Sequence, residues 1–305
     1  MIKLDFNSVN DEISNILDNN KPASVLRIDN TNGYVMNCYS RNEEPNSQWF
    51  NDGTLIEAGV YPINREWYKE NVVPRVEQSI MNSDLLGFVD ISGDILNGDY
   101  LHKFQEFQTK KVFNSFLIMD PGALLGCSSQ HKRLEKPWTS KLKNKKVLAI
   151  STHKESILSQ WNKIDKIWGD NKDIIAPFEL VDVIRSPYHP LTDNRQPPNC
   201  PTWLHSVDYV KELIDTYEYD VLLVGCSTSA PLYADHAKQN GKIGIQTGGV
   251  LQLYFGVTGY RWNQGEYSPW KNMYNEHWLF PLEIDEAQKR EQLLHLETNF
   301  AYWST

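Results

Sequence analysis

The fold is decided by residues 220–262, DVLLVGCSTSAPLYADHAKQNGKIGIQTGGVLQLYFGVTGYRW. Residues 221–224 are four apolar residues between an aspartate and a small-residue turn, which is typical of a strand buried on both faces. A helix is predicted over 230–239, because three favoured N-cap residues stand directly before it: Ser227, Thr228 and Ser229.

A second strand is predicted over 242–246, followed by another small-residue turn that contains Gly248 and Gly249. A right-handed crossover through the helix makes the two strands parallel neighbours. Both turns then emerge at the carboxyl edge of one sheet, which is where open α/β sheets bind ligands.

Short apolar segments alternate with helical patterns along the rest of the chain. This alternation predicts an α/β fold with a Rossmann-like, mostly parallel sheet and helices on both faces. The other strands are predicted over 23–28, 85–89, 112–119, 146–150 and 180–184. The other helices are predicted over 7–20, 34–40, 64–82 with a turn at Pro74, 100–108, 155–168 and 203–217. We expect a single domain over 1–305, and the basic stretch 132–146 is the best place for a boundary between two lobes.

Composition narrows the classes of function. The chain has 305 residues, a net charge of −9 and a pI near 5.4, which weighs against nucleic acid as a partner. No apolar run reaches the roughly 20 residues that span a bilayer, and no signal-peptide h-region follows the N-terminus. We therefore expect a soluble protein of the cytoplasm, or of a particle assembled in a host cytoplasm. The four cysteines form no Cys-x-x-Cys motif, so neither a disulfide framework nor a zinc site is predicted.

Two polar segments follow predicted strands and are candidates for a site. The first, residues 29–33, could direct several oxygens at a ligand or a metal-bound diphosphate, but a plain turn with helix N-caps explains the same residues. The second contains His153, which suits a base, an acid or a phosphate contact, and equally a hydrogen-bonding group at a helix start. Arg261 beside Trp262 suits stacking on a sugar or base, although such a tryptophan is as often a core residue.

One series of residues in the opening stretch occurs in the order of a known family: Asp220, Gly241-Lys242, Gly248-Gly249, Gln252, Gly256, Gly259 and Arg261-Trp262. It resembles the carboxyl-terminal pattern of the GT-D-type glycosyltransferases, a family of bacterial, phage and algal-virus proteins. Similar elements outside it, at 27–33, 151–153, 177–180, 275–278 and 297–303, extend the resemblance over nearly the whole chain.

The resemblance implies one Rossmann-like domain that binds a nucleotide-diphosphate sugar and transfers a hexose to a hydroxyl of a glycan or protein acceptor. It implies catalytic roles for Asp29 and His153, with Asp29 holding a divalent cation, Mn²⁺ or Mg²⁺. The residues that it implies for the donor are Arg27, Asn30, Asn32, Ser227, Thr228, Ser229, Gly248, Gly249, Gln252 and Arg261. A homo-oligomer is compatible with it.

The chain departs from the family pattern at its metal-associated motif. Asn32 stands where the family has a carboxylate, and Asp29 occupies a preceding glycine position. Amides are weak metal ligands and do not act as bases at neutral pH. The alternatives are an enzyme that uses Asp29 alone, without metal, and a catalytically silent relative with a structural or assembly role, for instance in a virion. Another nucleotide-binding enzyme on the same sheet is a third.

Overall fold

A computed structural model describes residues 2–28, 30–40, 42–47, 50, 51, 55, 58–88, 111–114, 136–172, 175, 177–186, 199–263 and 271–283. The strands among them are β1 (Ile2–Leu4), β2 (Ala23–Ile28), β3 (Leu85–Phe88), β4 (Lys111–Asn114), β5 (Lys146–Ser151), β6 (Glu179–Arg185), β7 (Val221–Gly225) and β8 (Ile243–Gln246). The helices with described bounds are α1 (Phe6–Asn19), α2 (Asn30–Ser40), α3 (Arg65–Asn71), α4 (Val73–Asn82), α5 (Lys154–Trp161), α6 (Ile164–Trp168), α7 (Trp203–Asp215), α8 (Ala230–Gln239) and α9 (Leu251–Tyr254).

These strands form one eight-stranded sheet in the order β1–β4–β3–β2–β8–β7–β5–β6. Every pairing between described neighbours is parallel. Helices α2, α3, α4, α7 and α8 share one hydrophobic core with the sheet, and α1, α5, α6 and α9 share the other. The predicted fold class, a parallel α/β sheet with helices on both faces, is confirmed.

The apolar residues of the central strand β7 do not alternate with polar ones, because both faces of the strand are buried. Leu222 and Val224 belong to one core, and Val221 and Leu223 belong to the other. All four side chains are fully buried, because both faces of a parallel sheet are covered by helices.

The predicted unit of strand, helix and strand is present, with β7 and β8 as parallel neighbours. Helix α8 packs directly on β8 at Gly244, where a Cβ atom would lie 2.2 Å from the carbonyl oxygen of Ala234. The amino ends of the strands are joined by Asp220, which accepts a hydrogen bond from the backbone N–H of Lys146 at 2.8 Å. Asp220 therefore lies at the sheet edge opposite to the two small-residue turns.

Three elements differ from the prediction. Helix α2 begins at Asn30, so 30–33 is the first turn of a helix and not the turn that was predicted before residue 34. The predicted helix over 155–168 occurs as two helices. Strand β1 was not predicted, since three residues carry too little periodicity to indicate a strand. The helix predicted over 64–82 has its turn at Val72, two residues before the predicted turn at Pro74.

Several predictions fall on residues that the structure does not describe. These are the loop and helix over 90–108, the strand residues 115–119, the loop residues 187–198, and Asp29. The single domain over 1–305 stays a prediction. Within the described ranges, every helix is too short or too polar to cross a membrane.

Candidate functional site

Four neighbouring strands bring the predicted site residues to one edge of the sheet. Arg27 is near the end of β2, Gly248 follows β8, Ser227 follows β7 and His153 follows β5, and these strands are adjacent in the order β2–β8–β7–β5. At about 4.8 Å per strand, roughly 14 Å separates the strand of Arg27 from that of His153. The residues therefore share an edge, but Arg27 and His153 stand at its two ends.

Arg27 lies against the turn that follows β8. Its backbone N–H donates to Oε1 of Gln246 at 3.0 Å. Gly248 has φ of +65°, and a Cβ atom there would lie 3.3 Å from Cζ of Arg27 and would crowd the guanidinium. A Cβ atom at Gly225 would in turn lie 2.8 Å from the carbonyl oxygen of Gly248. The ends of β2, β8 and β7 thus form one continuous surface on which the guanidinium lies.

The turn after β7 is held from beneath by side chains of other helices. Thr228 is buried, and its Oγ1 accepts a hydrogen bond from Nδ2 of Asn32 at 3.3 Å. Oδ1 of Asn32 accepts a hydrogen bond from the hydroxyl of Tyr68. Ser229 is half-buried and accepts a hydrogen bond from Nε1 of Trp203 at 2.8 Å. Ser227 is exposed, so it is the residue of this turn that faces outward.

Asn32 and Thr228 consequently lie below the edge and not on it. Both have an exposed fraction of 2% or less, and the two polar atoms of the Asn32 amide bind Tyr68 and Thr228. No local pattern indicates Tyr68, because its contact with Asn32 forms only when α3 packs beside α2.

His153 precedes α5 and is also buried. Its Nδ1 lies 4.0 Å from Oε2 of Glu283. The Glu283 carboxylate accepts hydrogen bonds from the backbone N–H of Ser156, at 3.2 Å, and from the Ser156 hydroxyl. Burial raises the pKa of Glu283, and the nearby Glu155 raises it further. The anion position at the start of α5 is therefore filled by a carboxylate of the chain itself.

Sequence reasoning missed Glu283. It lies 130 residues after His153 in the chain, and no local pattern shows that the segment 271–283 returns to the start of α5. The resemblance pointed to 275–278 in this segment, but it did not extend to the carboxylate.

The remaining predicted residues lie near the turn after β8. Gln252 is buried, and its Nε2 donates to the carbonyl oxygen of Thr258 at 2.9 Å. Gly249 and Arg261 are half-buried. Cζ of Arg261 lies 5.8 Å from the ring centroid of Trp262, and that ring belongs to the hydrophobic core. Of the two interpretations of Trp262, the structure supports the core residue, and the ring is not a surface for a sugar.

The described residues do not form a set of ligands for a divalent cation. No group of three or more His, Cys, Asp or Glu side chains within them is placed to hold a metal ion. Asp29 lies outside them, and the amide of Asn32 already binds protein groups. Cys226 is buried, and burial raises the pKa of its thiol to about 12, which disfavours the reactive thiolate in the native fold.

The chain is similar to solved glycosyltransferase structures. One is described as a new glycosyltransferase (DUF1792) from Streptococcus sanguinis, with 12% identity, a TM-score of 0.41, and coverage of 90% of this chain and 85% of that chain. Another is described as the highly conserved domain of unknown function 1792 with a distinct glycosyltransferase fold, with 12% identity, a TM-score of 0.44, and coverage of 95% and 94%. A selenomethionine structure of the same domain has 12% identity, a TM-score of 0.46 and the same coverage.

No family model matches the chain, and no curated protein matches it.

Proposed function

We propose that the chain is a glycosyltransferase that binds a nucleotide-diphosphate sugar and transfers the sugar, a hexose, to a hydroxyl of a glycan or protein acceptor. The observation that carries the proposal is the guanidinium of Arg27, held on Gly248 at the shared ends of β2, β8 and β7.

The chemistry of sugar transfer explains why a fixed guanidinium matters. The leaving group is a nucleoside diphosphate, so negative charge develops on its phosphate oxygens as the glycosidic bond breaks. A guanidinium presents planar N–H donors that match phosphate oxygens, and charge-assisted hydrogen bonds of this kind are among the stronger ones in proteins. Because the guanidinium of Arg27 already lies beside Gly248, its positive charge is at this edge before the negative charge develops.

The neighbouring turn supports the same position for the diphosphate. Ser227 is exposed there, and the ten-residue helix α8 begins directly after the turn, so the positive end of its dipole lies at this edge. Helix N-termini stabilise anions by about 0.3–1 kcal/mol at exposed positions. The start of α5 does not compete, since Glu283 already occupies it.

Within the proposal, the sugar and the acceptor bind between the diphosphate and β5, with His153 on the sugar side. Asp29 directly follows β2 in the sequence. We assign both of them catalytic roles within the proposal, with Asp29 as the residue that would hold a divalent cation. Arg261, Gly249 and Asn30 are also assigned to the donor site.

The proposal is tested by thermal shift and calorimetry with the diphosphates of uridine, guanosine, cytidine and thymidine and their hexose conjugates. Each is measured with Mn²⁺ and with a chelator. We expect one nucleotide to raise the Tm of the parent, and Arg27→Met to weaken its binding about 10- to 100-fold, the effect of losing a charge-assisted hydrogen bond. Arg75→Met, which removes an exposed arginine of α4, is the matched control. Asp29→Ala should abolish transfer.

A second candidate is the silent relative with a structural or assembly role. The observation that favours it is burial: His153, Asn32, Thr228 and Gln252 each have an exposed fraction of 3% or less. The same experiment separates the two functions. If the parent binds no member of the nucleotide panel, the transferase proposal fails and the structural role remains; binding without transfer to any acceptor favours a different nucleotide-binding enzyme.

A further inference from the structure

We infer that Asn32, Tyr68 and Trp203 are positioning residues for the donor site: they fix the turn after β7 from beneath, so that Ser227 and the turn backbone meet the diphosphate in one geometry. This inference rests on the proposed function. None of the three touches the ligand; each acts through Thr228 or Ser229.

The contacts form two independent attachments. From α2, Nδ2 of Asn32 donates to Oγ1 of Thr228 at 3.3 Å. From α7, Nε1 of Trp203 donates to Oγ of Ser229 at 2.8 Å. Consecutive residues of the turn are therefore bonded to two different helices, which removes the freedom of a small-residue turn to change its backbone conformation. Fixed donors stabilise developing charge best, because they need not reorganise during the reaction.

An amide at position 32 suits this role better than a carboxylate does. Asn32 must accept a hydrogen bond from Tyr68 with one atom and donate one to Thr228 with the other. An amide has both an acceptor and donors, whereas an ionised carboxylate only accepts. The side chains of Asn32, Tyr68 and Thr228 are all buried. An unsatisfied polar atom or an unpaired charge is costly in such a place. The residue that replaces a carboxylate of the family pattern thus has a definite structural function in this chain.

Tyr68 holds Asn32 in turn. Its hydroxyl donates to Oδ1 of Asn32. Its ring packs edge-to-face on that of Phe50 within the core, with the ring centroids 5.3 Å apart. The aromatic ring cannot move without disturbing that core, so the orientation of the Asn32 amide is fixed. Tyr68→Phe removes only the hydroxyl and keeps the packing.

The inference is tested by the alkylation rate of Cys226, which begins the turn and is buried. Cys38 and Cys200 are also buried and provide internal controls in the same molecule. Native protein is alkylated with N-ethylmaleimide, and the rate at each cysteine is followed by peptide mass spectrometry. In parallel, the affinity for inorganic pyrophosphate, a probe that does not depend on the base, is measured by calorimetry.

For Thr228→Val we expect Cys226 to react roughly five- to thirtyfold faster relative to Cys38 and Cys200, and pyrophosphate to bind weaker by a similar factor. Thr228→Ser keeps the hydroxyl and should restore both. Tyr68→Phe should act in the same direction as Thr228→Val, whereas Tyr209→Phe, at an exposed tyrosine of α7, should have no effect.

The inference is overturned if the reactivity of Cys226 is unchanged, or if it rises by the same factor as that of Cys38 and Cys200, which would indicate a general loss of stability. A parent that does not bind pyrophosphate contradicts the proposed function. In that case the alkylation rates still decide whether these residues position the turn.

Discussion

Nδ1 of His153 lies 4.0 Å from Oε2 of Glu283, and both side chains are buried. This contact joins the segment 271–283 to the carboxyl end of β5. Two further contacts fasten the same segment: Gln160 donates to the carbonyl oxygen of His277 at 2.6 Å, and Trp278 donates to that of Ile167 at 3.2 Å. His153, a residue proposed for catalysis, therefore lies beside a carboxylate from a distant part of the chain.

Ser156→Ala should destabilise the protein through Glu283. The substitution removes a hydroxyl that donates to the buried carboxylate and that also accepts the backbone N–H of Leu282 at 2.8 Å. We expect a loss of about 1–3 kcal/mol in the free energy of unfolding, measured with urea, because a buried charged group loses a partner. The control is Ser159→Ala, at an exposed serine of the same helix, which should change it by less than about 0.5 kcal/mol. Equal effects would show that Ser156 does not support Glu283.

Gly248→Ala should weaken ligand binding, whereas Gly241→Ala should not. Both glycines have a positive φ, +65° and +79°, so each alanine should cost about 1–2 kcal/mol of stability. Only at Gly248 does the new Cβ meet Arg27, 3.3 Å from Cζ, while nothing lies within 4 Å at Gly241. Urea unfolding and pyrophosphate calorimetry on both variants test this. Unchanged affinity in Gly248→Ala would count against a phosphate-binding role for Arg27.

Asp220→Ala should reduce stability without changing ligand affinity. Asp220 belongs to the family pattern, but its carboxylate bonds the backbone of Lys146 at the edge opposite to the proposed site. Loss of this bond should cost about 0.5–1.5 kcal/mol in urea unfolding. Pyrophosphate affinity should equal that of the parent. A drop in affinity without a drop in stability would mean that Asp220 acts on the ligand.

Asp235→Asn should stabilise the protein increasingly as pH rises. Asp235 is buried in α8, and burial raises the pKa of its carboxyl above the usual 3.8, against the opposing effect of hydrogen bonds from Asn82 and Gln239. Both of those bonds go to Oδ2, and Oδ1 accepts none from the described residues.

The sign follows from proton linkage. Because the folded state holds the proton of Asp235 more tightly than the unfolded state, its ionisation costs stability as pH rises above about 4 and through the folded pKa. The difference in unfolding free energy between Asp235→Asn and the parent should therefore grow in favour of the variant from about pH 3 to about pH 7. Asp11→Asn, at an exposed residue of α1, controls for the loss of one negative charge. A difference that shrinks with rising pH would contradict the assigned cause.

Much of the fold was predictable because buried strands and helices have characteristic patterns of apolar residues in the sequence. Strand β2 and helix α8 occur at their predicted bounds, since an apolar run and an N-cap followed by a helical segment are local signals. The start of α2 was not predictable in this way. Its first turn carries turn-forming residues, and the helix is stabilised there by contacts of Asn32 with Tyr68 and Thr228, which are distant in sequence.

The sequence by itself determined the parallel α/β sheet, the order of strand, helix and strand over 220–246, and the common edge to which Arg27, Ser227 and His153 belong. These follow from periodicity, turn chemistry and the handedness of crossovers, which act over a few residues or one connection. Only the tertiary structure decided which polar side chains are exposed. Ser227 is exposed, whereas Asn32 is buried between Tyr68 and Thr228. The tertiary structure also brought Glu283 to His153. The physical reason is that a side chain is desolvated by partners from other parts of the chain, and those partners are set by packing and not by the residue's own neighbours.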